Sequence, residues 1–169
     1  MTQEIINNII RDAKDKYRDF ESPNYSFVSP LLINHWSLYK ELINKYSVIA
    51  DLDFSCDVCI HYYLEKDGNS WVVCASLVGR YAMIARQIDN RKWVVVCNDV
   101  YTDPLDEEIL QIVKHNFYPL SESMLKTVIP GFRYETVEGE IQNWAYVYQV
   151  LFFYAHYGFP YDYDAEDVN

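Results

Sequence analysis

DVCIHYYLEKDGNSWVVCASLVGRYAMIARQIDNRKWVVVCN, residues 57–98, decides the fold. Four runs within it, DVCIHYYLE, SWVVCASLV, RYAMIARQ and RKWVVVCN, are rich in β-branched and aromatic residues, which fit a pleated surface. Lys66-Asp67-Gly68-Asn69 reads as a hairpin turn, because Asp-Gly tolerates the positive φ of a tight connection. Asp89-Asn90 is a second turn, and Gly79 marks a tight turn or a bulge. Joints this short leave no room for the crossovers that parallel strands require. The runs therefore predict a four-stranded antiparallel meander, to which YSFVS, residues 25–29, adds a candidate edge strand.

Helical spacing surrounds this centre. Ile5, Ile6, Ile9, Ile10, Ala13, Tyr17 and Phe20 form one amphipathic stripe, closed by Pro23. SPLLINHWSLYKELINKY follows, with Ser29 as cap, Pro30 in the first turn and a stripe of Leu32, Trp36, Tyr39, Ile43 and Tyr46. Beyond the sheet, Asp103 caps a helix with Pro104 in its first turn. Asp106, Glu107 and Glu108 lie near the positive end of its dipole, and Leu105, Ile109, Ile112 and Val113 form its apolar side. Ser121 opens a shorter helix through Met124, Leu125 and Val128, ended by Pro130-Gly131. GFRYETVEGE then reads as a strand or extended loop. EIQNWAYVYQVLFFYAHYG reads as a helix apolar almost all round, stopped by Gly158 and Pro160, and hence deeply packed. The expected fold class is α+β: an antiparallel sheet of about four strands flanked by N-terminal and C-terminal amphipathic helices. Residues 1–160 form a single domain and residues 161–169 an acidic tail, with no repeat or low-complexity segment between.

A chain of 169 residues buries about 68 to 70% of its unfolded surface, enough for a core without disulfides or metal. Half of it is hydrophobic and 23% is charged, which excludes a disordered chain. No apolar run reaches the roughly 18 residues of a membrane span, and the charged, amphipathic N-terminus is no signal peptide, so a cytoplasmic location is expected. The net charge of −11 is unevenly placed. Residues 1–97 hold 12 acids and 11 bases; residues 98–169 hold 13 acids and 3 bases. So acidic a region repels phosphate backbones, which argues against nucleic-acid and anionic-membrane partners and favours a basic protein partner or plain solubility.

No catalytic motif stands out. Cys56 and Cys59 form a CxxC, but Cys74 and Cys97 do not make the second close pair of a zinc ribbon, and CDVCIHYYLE reads as a strand rather than the helix start of a redox site. Cys59, Cys74 and Cys97 read as small core hydrophobes, and no metal or cofactor is expected. Cys59 and His61 share a strand face, a conceivable dyad that lacks a third, orienting group. The DxD strings at Asp51-Leu52-Asp53 and Asp162-Tyr163-Asp164 have no nucleotide domain around them, and DYDAED lacks the turn glycine of a calcium loop. Arg80, Arg86, Arg91 and Lys92 read as a solvated face or edge protection of the sheet.

Tyrosine is abundant: sixteen residues. Tyr146, Tyr148 and Tyr154 are expected in the core. Tyr101, Tyr134, Tyr157, Tyr161 and Tyr163, interleaved with acids, suit a contact surface, since interfaces are enriched in tyrosine.

In size, acidity and want of a catalytic motif the chain resembles the small immunity proteins of bacterial toxin–immunity pairs. The likeness is one of general character over the whole chain, and no family residues carry over from it. It implies neutralisation of a cognate toxin, such as a nuclease, by covering a basic surface. The residues expected to bind this partner are Asp103, Asp106, Glu107, Glu108, Glu135, Glu138 and Glu140 for charge, with Tyr101, Tyr134 and Tyr161 as anchors. Two alternatives stand beside this: a secretion or assembly chaperone or adaptor, and a small enzyme using a carboxylate or Cys59.

Overall fold

Strand β2 (Cys59–Lys66) pairs antiparallel with β3 (Asn69–Ser76), from Cys59 opposite Ser76 to Lys66 opposite Asn69. The turn between them places Asp67 at φ 50 and Gly68 at φ 76, the left-handed pair that a two-residue hairpin demands. In the computed structural model, which describes residues 2–28, 36–52, 58–89, 92–97, 103–136 and 139–152, β4 (Tyr81–Gln87) continues the meander along β3. Short β5 (Trp93–Val95) follows along β4. The expected four strands are thus present, in an α+β arrangement, but among the described residues the sheet has six. β1 (Ser47–Asp51) adds antiparallel to β2, and β6 (Tyr118–Pro119) lies parallel to Tyr81 and Ala82 of β4.

The sheet is covered on both faces, which is why β3 and β4 read as nearly unbroken apolar runs instead of alternating ones. One face carries Ile60, Tyr62, Leu64, Trp71, Val73, Ala75, Ala82 and Ile84. It packs on Leu38 and Leu42 of α2 (Trp36–Ile43) and on Ile109, Leu110, Ile112 and Val113 of α3 (Pro104–Lys114). The other face carries Cys59, Val72, Cys74, Met83 and Ala85 and meets Ile6, Ile9, Ala13 and Tyr17 of α1 (Thr2–Tyr17). The same core takes in Met124 and Leu125 of the short α4 (Glu122–Leu125) and the chain beyond it.

Local signals set several boundaries as expected. Asp103 caps α3, its Oδ1 accepting from the Leu105 N–H at 2.8 Å, and Ser121 caps α4, accepting from the Met124 N–H at 3.4 Å. Three readings need correction. Residues 26–28 form a single 3₁₀ turn, not an edge strand, because the Asn24 side chain accepts from the Ser26 N–H at 2.8 Å and bends the chain. Pro130-Gly131 does not end a helix. The two residues sit inside β7 (Val128–Glu135), where Gly131 at φ 78 accommodates a shift of register and the Arg133 N–H reaches the Phe20 carbonyl at 2.7 Å. The long C-terminal helix begins later than read: residues 141–146 form β8 (Ile141–Tyr146), paired with β7, and among the described residues of that run α5 (Val147–Leu151) is the helical part, with all five residues buried; Gly158 and Pro160 lie outside the described residues. Among the described residues no helix is long and apolar enough to cross a membrane.

Candidate functional site

The acids of α3 are held by the protein itself. Asp106, expected as surface charge, is 1% exposed: Trp71 of β3 donates its indole N–H to Asp106 Oδ1 at 2.8 Å, and Arg86 of β4 lies 3.3 Å from Oδ2. Arg86 also stands 3.6 Å from Asp103, so it is a half of a sheet-to-helix ion pair and not a solvated edge cation. Glu108 receives Lys45 at 2.8 Å, Lys66 at 3.0 Å and the Tyr46 hydroxyl at 2.7 Å. These donors stabilise the carboxylate and lower its pKa to about 2, while burial and then the bond to Glu108 raise the Tyr46 hydroxyl. Of the cap acid Asp103 and the three acids of α3, Glu107 alone is exposed.

The β7–β8 hairpin presents a different surface. Its inner side sends Ile129, Phe132, Tyr134 and Ala145 into the core. Tyr134, expected as an exposed anchor, is buried: it receives Gln149 Nε2 at 2.7 Å and donates to Gln142 Oε1 at 3.2 Å, so its polar tip is satisfied inside the fold. Two cross-strand pairs of the hairpin, Pro130 with Trp144 and Glu135 with Ile141, are exposed. Ile141 is 55% and Trp144 38% exposed. At the tip the Thr136 N–H donates to the Glu140 carbonyl at 2.8 Å, the Glu140 N–H donates to Thr136 Oγ1 at 3.0 Å, and Gly139 takes φ 81. This closed turn carries Glu135 and Glu140 into solvent, where neither forms an ion pair among the described residues. The polar residues Gln142 and Asn143 beside Ile141 and Trp144 were the available signal that this segment is not a buried helix, hidden inside a run that reads as one.

Sheet register assembles one more cluster. His61 lies directly opposite Cys74, and Cys59 precedes His61 on the same face of β2. All three are buried, with Cys59 Sγ 3.7 Å from His61 Nε2 and the three ligand atoms within 4.8 Å of one another. The His61 ring stacks on Tyr63 with centroids 6.0 Å apart. The neighbouring strand thus brings up the third group that the Cys59/His61 pair lacks along the chain. The surface depression lined by Arg11, Asp12, Lys14 and Asp15 lies on α1 and takes in none of them.

Tyr101, Glu138 and Tyr161, with Cys56, Tyr154, Tyr157, Tyr163 and the acidic tail, fall outside the described residues. His115 is exposed and meets Glu41 at 2.7 Å, a surface pair between α3 and α2. Compared with protein-family models, with curated proteins and with solved structures, the chain has no match.

Proposed function

We propose that the protein is an acidic protein-binding inhibitor of the immunity type, which acts in the cytoplasm by covering a basic surface of a cognate toxin. The observation that carries this reading is the β7–β8 hairpin, on which Trp144 and Ile141 are exposed and the exposed carboxylates of Glu135 and Glu140 form no ion pair among the described residues. An exposed amphipathic ring and exposed acids on one hairpin combine the two elements of fast and lasting association. Charge steers encounter with a cationic surface toward about 10⁸ to 10⁹ M⁻¹s⁻¹ at low salt, and a desolvated aromatic slows departure. A nuclease is the toxin class best suited, because its substrate channel must be positive to hold a phosphate backbone. The acids of α3 contribute chiefly through Glu107, since Asp103, Asp106 and Glu108 are engaged internally.

The test is co-expression with the toxin encoded by the neighbouring reading frame. Wild-type protein protects the cells. Trp144→Ala and the pair Glu135→Lys with Glu140→Lys lose protection while remaining folded, and the association rate falls steeply as salt rises. Failure of the wild type to protect, or a rate indifferent to ionic strength, rejects the reading.

A further inference from the structure

From the geometry of Cys59, His61 and Cys74 we infer a binding site for one divalent metal ion of the zinc type, built across strands β2 and β3. The residue types are those of a sulfur–nitrogen site, and thiolate with imidazole selects zinc-like ions over calcium or magnesium. Spacing agrees with chemistry. Metal–sulfur bonds of about 2.3 Å and metal–nitrogen bonds of about 2.1 Å, set at a tetrahedral angle, place sulfur and nitrogen about 3.6 Å apart. Cys59 Sγ and His61 Nε2 are 3.7 Å apart. Cys74 lies within 4.8 Å of both, so a movement of about 1 Å closes the third edge toward the roughly 3.8 Å of two thiolates on one ion.

The backbone holds this arrangement in place. Two of the ligands alternate along β2, which keeps them on one face, and the ladder fixes Cys74 across from His61. Charge also favours a divalent ion: two thiolates and a neutral imidazole around M²⁺ sum to zero. A neutral assembly is far less costly to bury than a bare ion, and the surroundings here, Val58, Val72 and Met83, are apolar and buried. Binding forms two metal–sulfur bonds and one metal–nitrogen bond, with the two thiol protons passing to solvent. Three protein ligands leave a fourth tetrahedral position for a further donor.

The experiment starts from reduced, chelator-treated protein titrated with Zn²⁺ and with Co²⁺. One equivalent binds, calorimetry in buffers of different ionisation heat shows about two protons released, and the cobalt form gives tetrahedral bands with sulfur-to-cobalt charge transfer. Cys59→Ser, Cys74→Ser and His61→Asn each weaken binding at least about tenfold, whereas Cys97→Ser, a change at another buried cysteine, leaves it intact. Where a ligand variant fails to fold, X-ray absorption of the wild-type zinc protein decides: a shell of sulfur with imidazole supports the site. A shell of oxygen alone, undiminished binding by the double variant Cys59→Ser/Cys74→Ser, a Cys59–Cys74 disulfide in the isolated protein, or no binding by the reduced fold overturns it.

Discussion

Trp71 of β3 donates its indole N–H to the carboxylate of Asp106 on α3, 2.8 Å away and sealed from solvent, while Arg86 approaches the other oxygen of that carboxylate. One acid thereby joins helix and sheet through two donors. Asp106→Ala removes the acceptor from both and is expected to cost about 3 to 5 kcal/mol, because a buried donor and a nearly buried cation lose their nearest partner. Asp106→Asn keeps an acceptor for the indole and costs less. Urea unfolding followed by tryptophan fluorescence measures both. A loss below about 1 kcal/mol for the alanine variant would contradict this account.

Glu108 makes the fold sensitive to acid. Its pKa of about 2 lies below the ordinary 4.5 because Lys45, Tyr46 and Lys66 donate to its carboxylate. The stabilisation from this charge is complete above about pH 4.5 and is lost as pH falls toward about 2. Glu108→Gln is therefore less stable than wild type at neutral pH, and the gap between their denaturation midpoints closes across that window. A gap unchanged from pH 7 to pH 2.5 would refute the assignment.

The Tyr17 hydroxyl donates to the Val150 carbonyl at 2.6 Å, and its ring packs edge-on against Tyr25, Phe27 and Phe132. Tyr17→Phe retains the ring contacts and deprives a buried carbonyl of its donor. The expected loss is about 1 to 3 kcal/mol by chemical denaturation, with little change in m-value.

Gly79 is held by contact, not by φ. A Cβ there would come within 2.6 Å of Tyr81 Cε2 and 3.3 Å of Asp12 Oδ2, the two side chains joined by a 2.6 Å hydrogen bond. Gly79→Ala pushes the Tyr81 ring aside and opens that bond between α1 and β4, at about 1 to 3 kcal/mol. In the Tyr81→Phe background the same change costs less, and equal costs in both backgrounds would exclude the mechanism.

Glu135→Lys and Glu140→Lys leave stability within about 0.5 kcal/mol, since both side chains are exposed and form no ion pair among the described residues. Thermal melts of the single variants check this. A larger shift would mean that the hairpin acids serve the fold and not a partner.

What was legible in the chain follows the range of the interactions. The Asp-Gly hairpin, the caps at Asp103 and Ser121, and the strands on either side of residue 68 are decided within a few residues, and all appear in the structure. β1 was missed because five residues with no clear alternation become a strand only when β2 offers its edge. Residues 140–158 misled by composition: a run this rich in apolar residues has little period to separate strand from helix, and the switch at Tyr146 depends on β7 pairing with residues 141–146. Asp106 has the spacing of a helix-dipole acid, and nothing local reveals Trp71 and Arg86 waiting on the sheet. Nor does linear spacing show Cys74 beside His61, a neighbourhood that exists only in the register of two strands.

The division of the core between two faces orders events on the ribosome. The face covered by α2 and α3 draws on residues 38–117, so it can close while the rest of the chain is still being made. The opposite face cannot. α1 precedes the other described elements, yet Tyr17 reaches Val150 and Phe20 meets Arg133, so part of its packing waits for β7 and α5. At about 5 to 20 residues per second, the interval is several seconds to half a minute. Nascent chains are accordingly open to chaperones, and prone to mispairing, along a helix whose own sequence is already complete.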